Sequence, residues 1–136
     1  MTLTAAQKVK FLVLSRGHEL AGRASEEFGS ISGEHIDADF EAFENEDEYW
    51  DAKSEVRGGE FETGLDCQWS RHYESKAVAA KLPDGSWVGW TYWYGGGKHA
   101  EPEAIEWIDD AYDLTCTEEE KVVTVRTFAK AEGGAA

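Results

Sequence analysis

Only two cysteines, two prolines and one methionine occur in this chain of 136 residues. Two thiols supply no disulfide framework and no paired-cysteine metal site. Cys67 and Cys116 both fall in predicted strands, where a free thiol behaves as a small buried hydrophobe. Long apolar runs are missing too. The run Phe11-Leu12-Val13-Leu14 is too short for a signal-peptide core or a membrane span, so the expected location is cytoplasmic. Cations are scarce: 13 Lys and Arg stand against 28 Asp and Glu, a formal net charge of −15. Such a charge repels nucleic-acid phosphates and anionic lipid, which argues against direct binding to either. The same charge speeds encounter with basic surfaces, including those of proteins that handle nucleic acid.

What is present is a core. Hydrophobic residues make up 41% of the chain, with six Trp, six Phe and five Tyr, a content foreign to disordered chains. The length fits one domain over residues 1–136, with residues 131–136 as a frayed tail. Negative charge is gathered rather than spread. Residues 34–51 hold nine carboxylates and no Lys or Arg, and residues 101–120 hold nine more on the same terms. Ten carboxylates remain elsewhere, against all 13 basic residues, so two acidic blocks carry the whole negative charge.

Residues 8–14 read as a first strand, and a short helix is expected around residues 19–28. In the first block, Ile36, Ala38, Phe40 and Ala42 alternate with Asp37, Asp39 and Glu41, the period of a strand. Ile36, Phe40 and Phe43 also fall at helical spacing; the alternation is cleaner, and a strand followed by an acidic turn over residues 44–48 is the expectation. Residues 61–69, 73–82 and 87–94 read as three strands of an antiparallel meander, the last two joined by the turn Pro83-Asp84-Gly85-Ser86. Pro102 with Glu101 and Glu103 predicts a helix start, with Ala104, Ile105, Ile108, Ala111 and Tyr112 facing inward. A last hairpin is expected from residues 112–117 and 121–129. The sum is an α+β fold: an antiparallel sheet of five to seven strands with one or two short helices.

Four features bear on function. On a strand, Asp37, Asp39 and Glu41 would form a row of charge spaced about 6.7 Å apart, broadly like successive phosphates. A solvated acidic face is the plainer alternative, but ordinary surfaces intersperse both signs, and these blocks do not. Adaptation to high salt would predict acid everywhere and few lysines, whereas Lys outnumbers Arg by eight to five. The aromatic run Trp87, Trp90, Tyr92, Trp93 and Tyr94 would point Trp90, Tyr92 and Tyr94 one way, and Trp87 and Trp93 the other. Such residues stack on sugars or anchor a partner when exposed; core packing is their commoner role. Gly95-Gly96-Gly97-Lys98-His99 departs from the phosphate-binding pattern, which needs Ser or Thr after the Lys. His18, His35, His72 and His99 are scattered, and no nucleophile–base pair can be assembled from neighbours. No enzyme and no cofactor or metal is therefore expected.

The stretch from Leu82 to His99 (LPDGSWVGWTYWYGGGKH) resembles small uncharacterised phage and prophage proteins, the likeness covering mainly residues 67–128. That group includes small acidic inhibitors of host CRISPR and restriction systems, some of which imitate nucleic acid. The resemblance implies a phage-encoded inhibitor acting in the host bacterial cytoplasm, with no active-site residues to carry over. Combined with the charge layout, it yields the leading expectation: a binding protein whose target is a basic, nucleic-acid-binding host protein or complex. One contact surface would comprise Asp37, Asp39, Glu41, Glu44, Glu46, Asp47 and Glu48. A second would comprise Glu101, Glu103, Glu106, Asp109 and Asp110, joining the first if the fold brings the blocks together. Two alternatives stand beside it: a module binding a sugar or small molecule on Trp87–Tyr94, and a metal-dependent hydrolase built on His99 with neighbouring carboxylates.

Overall fold

Thr4 opens the first helix with a reciprocal cap. Its hydroxyl accepts from Gln7 N at 3.2 Å, and the Gln7 side chain accepts from Thr4 N at 3.0 Å. Helix α1 then runs Ala5–Leu20 and buries Val9, Phe11, Val13, Leu14 and Gly17. The strand expected over residues 8–14 is therefore corrected to helix. Val9, Val13 and Gly17 recur every four residues as one helical stripe, and a glycine in that stripe hides its period from a hydrophobicity reading. The computed structural model describes residues 3–24, 31–98 and 100–131. Of the helix expected over 19–28, Glu19 and Leu20 end α1, residues 21–24 are not helical, and residues 25–28 lie outside the described residues.

Helix α2 spans Gly33–Phe43, capped by the Ser32 hydroxyl accepting from His35 N. The strand expected here is overturned. Burying Ile36, Phe40 and Phe43 satisfies the helical spacing, and the alternating acids are simply the two polar flanks of that helix. Residues 44–48 form the expected acidic turn. It leads into α3, Tyr49–Arg57, which buries Tyr49 and Ala52. Tyr49 meets Phe40 and Phe43 edge to face, with centroids 5.9 and 5.7 Å apart, locking the turn between α2 and α3.

The sheet has four antiparallel strands in the order β1-β2-β3-β4: Phe61–Glu62, Glu74–Lys81, Trp87–Tyr94 and Tyr112–Leu114. The α+β class and the meander stand; among the described residues the expected five to seven strands become four, with three α-helices and a 3-10 turn at Pro102–Ala104. In register, Phe61 faces Ala79, Val78 faces Trp90, and Gly89 faces Tyr112. Asp84 ties the β2–β3 turn by accepting from Ser86 N and Oγ at 2.9 and 2.6 Å, and Gly85 takes φ 90°, a conformation glycine adopts without strain.

The strand count falls because residues 8–14 and 36–42 are helical and residues 121–129 stay unpaired, and two further elements are shorter than expected. Beyond Thr63, whose N–H still reaches Ala77 O, the chain leaves the ladder at Gly64, φ 75°. Residues 64–72 loop out, held by Ser75 Oγ donating to Gln68 O at 2.7 Å. The helix expected from Pro102 stops after its 3-10 turn, because Glu106 Oε1 accepts from Ile108 N and Asp109 N and turns the chain so that Trp107 and Ile108 are buried. Residues 121–129 pair with no described strand and are fully exposed. Neither cysteine lies in a strand: Cys67 is half-buried in the 64–72 loop, and Cys116 is exposed.

One apolar cluster unites Val9 and Val13 of α1, Ile36, Phe40 and Phe43 of α2, and Val78, Val88 and Trp90 of the sheet's inner face. Trp107 joins it from the chain between β3 and β4, its ring 5.3 Å from Trp90. The closest approach is at Gly17. A Cβ there would overlap Phe43 Cζ and lie 2.8 Å from its Cε1. Gly17→Ala is therefore expected to destabilise the fold by roughly 1–3 kcal/mol through overpacking, despite the better helix propensity of alanine. Denaturant unfolding of Gly17→Ala, Phe43→Leu and the double variant checks this. The double variant should recover part of the alanine penalty.

Candidate partner-binding surface

Helical geometry redistributes the first acidic block. At about 100° per residue, Asp37 and Asp39 point to opposite flanks of α2, so no row of Asp37, Asp39 and Glu41 exists. Instead Glu34, Asp37, Glu41 and Glu44 follow one another at spacings of three and four along one flank of α2, where Asp37 meets Gln7 and Lys10 of α1, with Glu34 to Glu41 covering about 10 Å of axis. The turn adds Glu46, Asp47 and Glu48, and α3 adds Asp51.

Some of these groups are held in place. Asp37 accepts from Gln7 Nε2 at 3.1 Å and Lys10 Nζ at 3.0 Å. Those bonds, the Gln7 contact first, hold its carboxyl below the usual aspartate range. Asp39 pairs with His35 Nε2 at 3.0 Å, and Glu46 with Arg23 Nη2 at 3.2 Å. Glu34, Glu41, Glu44, Asp47 and Glu48 form no ion pair with any described residue. Arg16 is clamped between Glu19 and Glu55, which raises its own pKa and lowers that of Glu55. It therefore joins α1 to α3 and offers no free cation beside the acidic ridge.

Trp50 is the residue that sequence reasoning passed over. It is 66% exposed at the start of α3, its ring 5.0 Å from Tyr49 and under Lys53 Nζ at 5.6 Å. The signal was available: a helix that buries Tyr49 and Ala52 and packs Val56 against the core, at spacings of three and four, must turn Trp50 outward. The ridge is thus an acidic α2–turn–α3 surface with one large aromatic beside its turn.

The second block does not extend it. Lys8 pairs with Asp113 at 2.8 Å and Lys10 with Asp37 at 3.0 Å. The two lysines project about 160° apart around α1, so the blocks flank that helix on different sides. Glu101, Glu103, Asp109 and Asp110 are exposed around the 3-10 turn and the following loop, while Glu106 spends its carboxylate on capping the chain.

The aromatic strand divides as alternation requires. Trp90, Tyr92 and Tyr94 share the inner face; Trp87 and Trp93 share the outer. Trp90 is inaccessible and Trp93 is 7% exposed, so neither offers a contact surface. Tyr92 and Tyr94 stack at 5.5 Å, with Lys76 Nζ over both rings and the Arg57 guanidinium over Tyr92. Trp87 packs on Phe61 at 5.7 Å. Among the described residues no group of three His, Cys, Asp or Glu side chains is placed to hold a metal ion. His99 lies outside them. No described helix is long and apolar enough to cross a membrane.

The depressed carboxyls of Asp37 and Glu55 add stability that is complete above the ordinary carboxylate range, near pH 4. It is lost as pH falls through their lower folded values. Protonation of the remaining acids relieves self-repulsion and acts in the opposite direction. Comparing the native chain with Asp37→Asn isolates the specific part: the urea midpoint of the native chain should fall more steeply between about pH 4 and pH 2. Comparison with protein-family models, curated proteins and solved structures returns no match to this chain.

Proposed function

We propose that the chain is a non-catalytic inhibitor that lays its acidic α2–turn–α3 ridge on the basic, nucleic-acid-binding surface of another protein. The concrete form is a phage-encoded antagonist of a restriction or CRISPR complex. The observation that carries this reading is a run of carboxylates on α2 and its turn that contains no Lys or Arg in its own sequence and ends beside an exposed tryptophan. Residues 34–51 contain nine acids and no Lys or Arg, and Glu41, Glu44 and Asp47 remain unpaired among the described residues.

A groove shaped for a phosphate backbone presents Arg and Lys at intervals. Carboxylates on a rigid helix meet those cations without ordering a flexible chain, and each forms a charge-assisted hydrogen bond. Trp50 supplies the apolar and cation–π contact that typically concentrates binding energy. Long-range attraction from the net charge of −15 speeds the encounter and makes it salt-dependent. The second acidic block serves in this reading as a source of field, because it lies on another side of α1.

Displacement of a labelled DNA duplex from purified restriction enzymes and CRISPR effector complexes tests the proposal. Stoichiometric displacement by the native chain is expected, weakening steeply between low and moderate salt. Glu41→Lys with Glu44→Lys and Asp47→Lys should reduce it by a hundredfold or more, and Trp50→Ala by about tenfold to a hundredfold, with unfolding midpoints little changed. Displacement indifferent to the triple reversal would sink the idea.

A further inference from the structure

We propose that two copies of this chain exchange their C-terminal arms, each laying residues 121–129 on an apolar groove of the other's sheet. The arm is the segment after β4. From Thr115 to Ala131 it contains no regular element, and all of its residues are exposed. Yet residues 121–129, KVVTVRTFA, combine three valines, two threonines and a phenylalanine, a strong strand-forming composition. Val122, Val123, Val125 and Phe128 are between 74% and 103% exposed. Four large apolar side chains within seven residues, all largely in water, are an interaction surface rather than ordinary surface scatter.

The groove lies on the sheet's outer face. Phe61, Leu65, Ala79, Trp87 and Leu114 line about 630 Å³ of open space, rimmed by Glu62 and Glu118. Phe61 and Leu65 are themselves 58% and 52% exposed. The seat is therefore apolar at its floor and acidic at its edge.

Charge selects the occupant. Residues 121–131 carry Lys121, Arg126 and Lys130 and no acid, so all 28 carboxylates lie in the rest of the chain. A cationic, valine-rich strand complements an apolar groove with a carboxylate rim on a strongly anionic body. The root of the arm fits reciprocal exchange. Thr115, Cys116 and Thr117 form one wall of the groove, so each arm leaves its own body beside its own seat. A two-fold axis near that point carries each arm across to its partner's seat, the symmetric closure expected of a homodimer.

Sedimentation velocity on the full chain across low to high micromolar concentration tests this, with three variants. The native chain should sediment as a dimer. Val123→Asp with Val125→Asp should weaken dimerisation by about a hundredfold, from the loss of two buried valines. Phe61→Asp, at an exposed position that leaves the core intact, should weaken it by about tenfold or more. Far-UV circular dichroism verifies that each variant remains folded. Mixing the arm variant with the groove variant gives the sharpest result. One intact arm meets one intact groove, so a heterodimer should form more tightly than either variant's homodimer. A native chain that stays monomeric overturns the proposal. So does a dimer that survives the arm substitutions, or a mixture that shows no rescue. A monomer whose Trp87 fluorescence responds to the arm substitutions would mean that the arm folds back on its own groove, and would equally overturn exchange.

Discussion

The ring of Phe43 rests on the bare backbone of Gly17, and the helical layer depends on that contact. It lets α2 approach α1 more closely than any side chain at position 17 would permit. Phe43 in turn presents its ring to the edge of Tyr49, which fixes where α3 begins. The orientation of α2 follows from the same contact. With Ile36, Phe40 and Phe43 committed inward, the polar residues between them have no choice of direction. A single close approach in the core thereby decides which carboxylates reach solvent and in what order.

Local signals made the sheet easier to read than the helices. The hairpin of β2 and β3 was legible because the Pro83-to-Ser86 turn and the alternation on both sides agree, and each is a property of adjacent residues. Helix α1 was not, because its stripe runs through Gly17 and three of its buried residues, Val9, Phe11 and Val13, have a local preference for strands. Tertiary burial overrode that preference. Helix α2 offered two periods at once, and the acidic alternation outweighed Ile36, Phe40 and Phe43 although only those three carry packing energy. The order of the acidic surface could not be had without this choice, since a change of period sends Asp37 and Asp39 to opposite flanks. The shortened strand after Thr63 and the 3-10 turn at Pro102 were illegible for another reason. Gly64 and Glu106 redirect the chain through backbone conformation and a side-chain cap, which composition does not reveal.

The molecule separates its charge into regions with different tasks. Cations of α1 are spent on internal ties: Lys8 to Asp113, Lys10 to Asp37, and Arg16 to Glu19 and Glu55. Such exposed pairs add little stability individually, but they remove positive charge from the neighbourhood of the acidic ridge. Glu34, Glu41, Glu44, Asp47 and Glu48 form no ion pair with any described residue, whereas Asp39 and Glu46 meet His35 and Arg23. Lys53, Arg57, Lys76 and Lys81 lie over aromatic rings of α3 and the sheet, and residues 121–131 carry three cations and no acid. A chain laid out this way has a mainly anionic body and a cationic segment after β4.

Trp90 and Trp107 add a different consequence. Their indoles lie 5.3 Å apart, inclined by 41°, and both are almost wholly shielded from solvent. Trp90 Nε1 donates to Arg57 O at 2.8 Å, so the ring is fixed relative to the end of α3 as well as to the sheet. Two chromophores this close, held in a fixed chiral arrangement, couple their electronic transitions and produce a near-ultraviolet dichroism that neither would show alone. Because one belongs to the central hairpin and the other to the chain that follows it, that optical signal reports whether the two halves of the core have closed on each other.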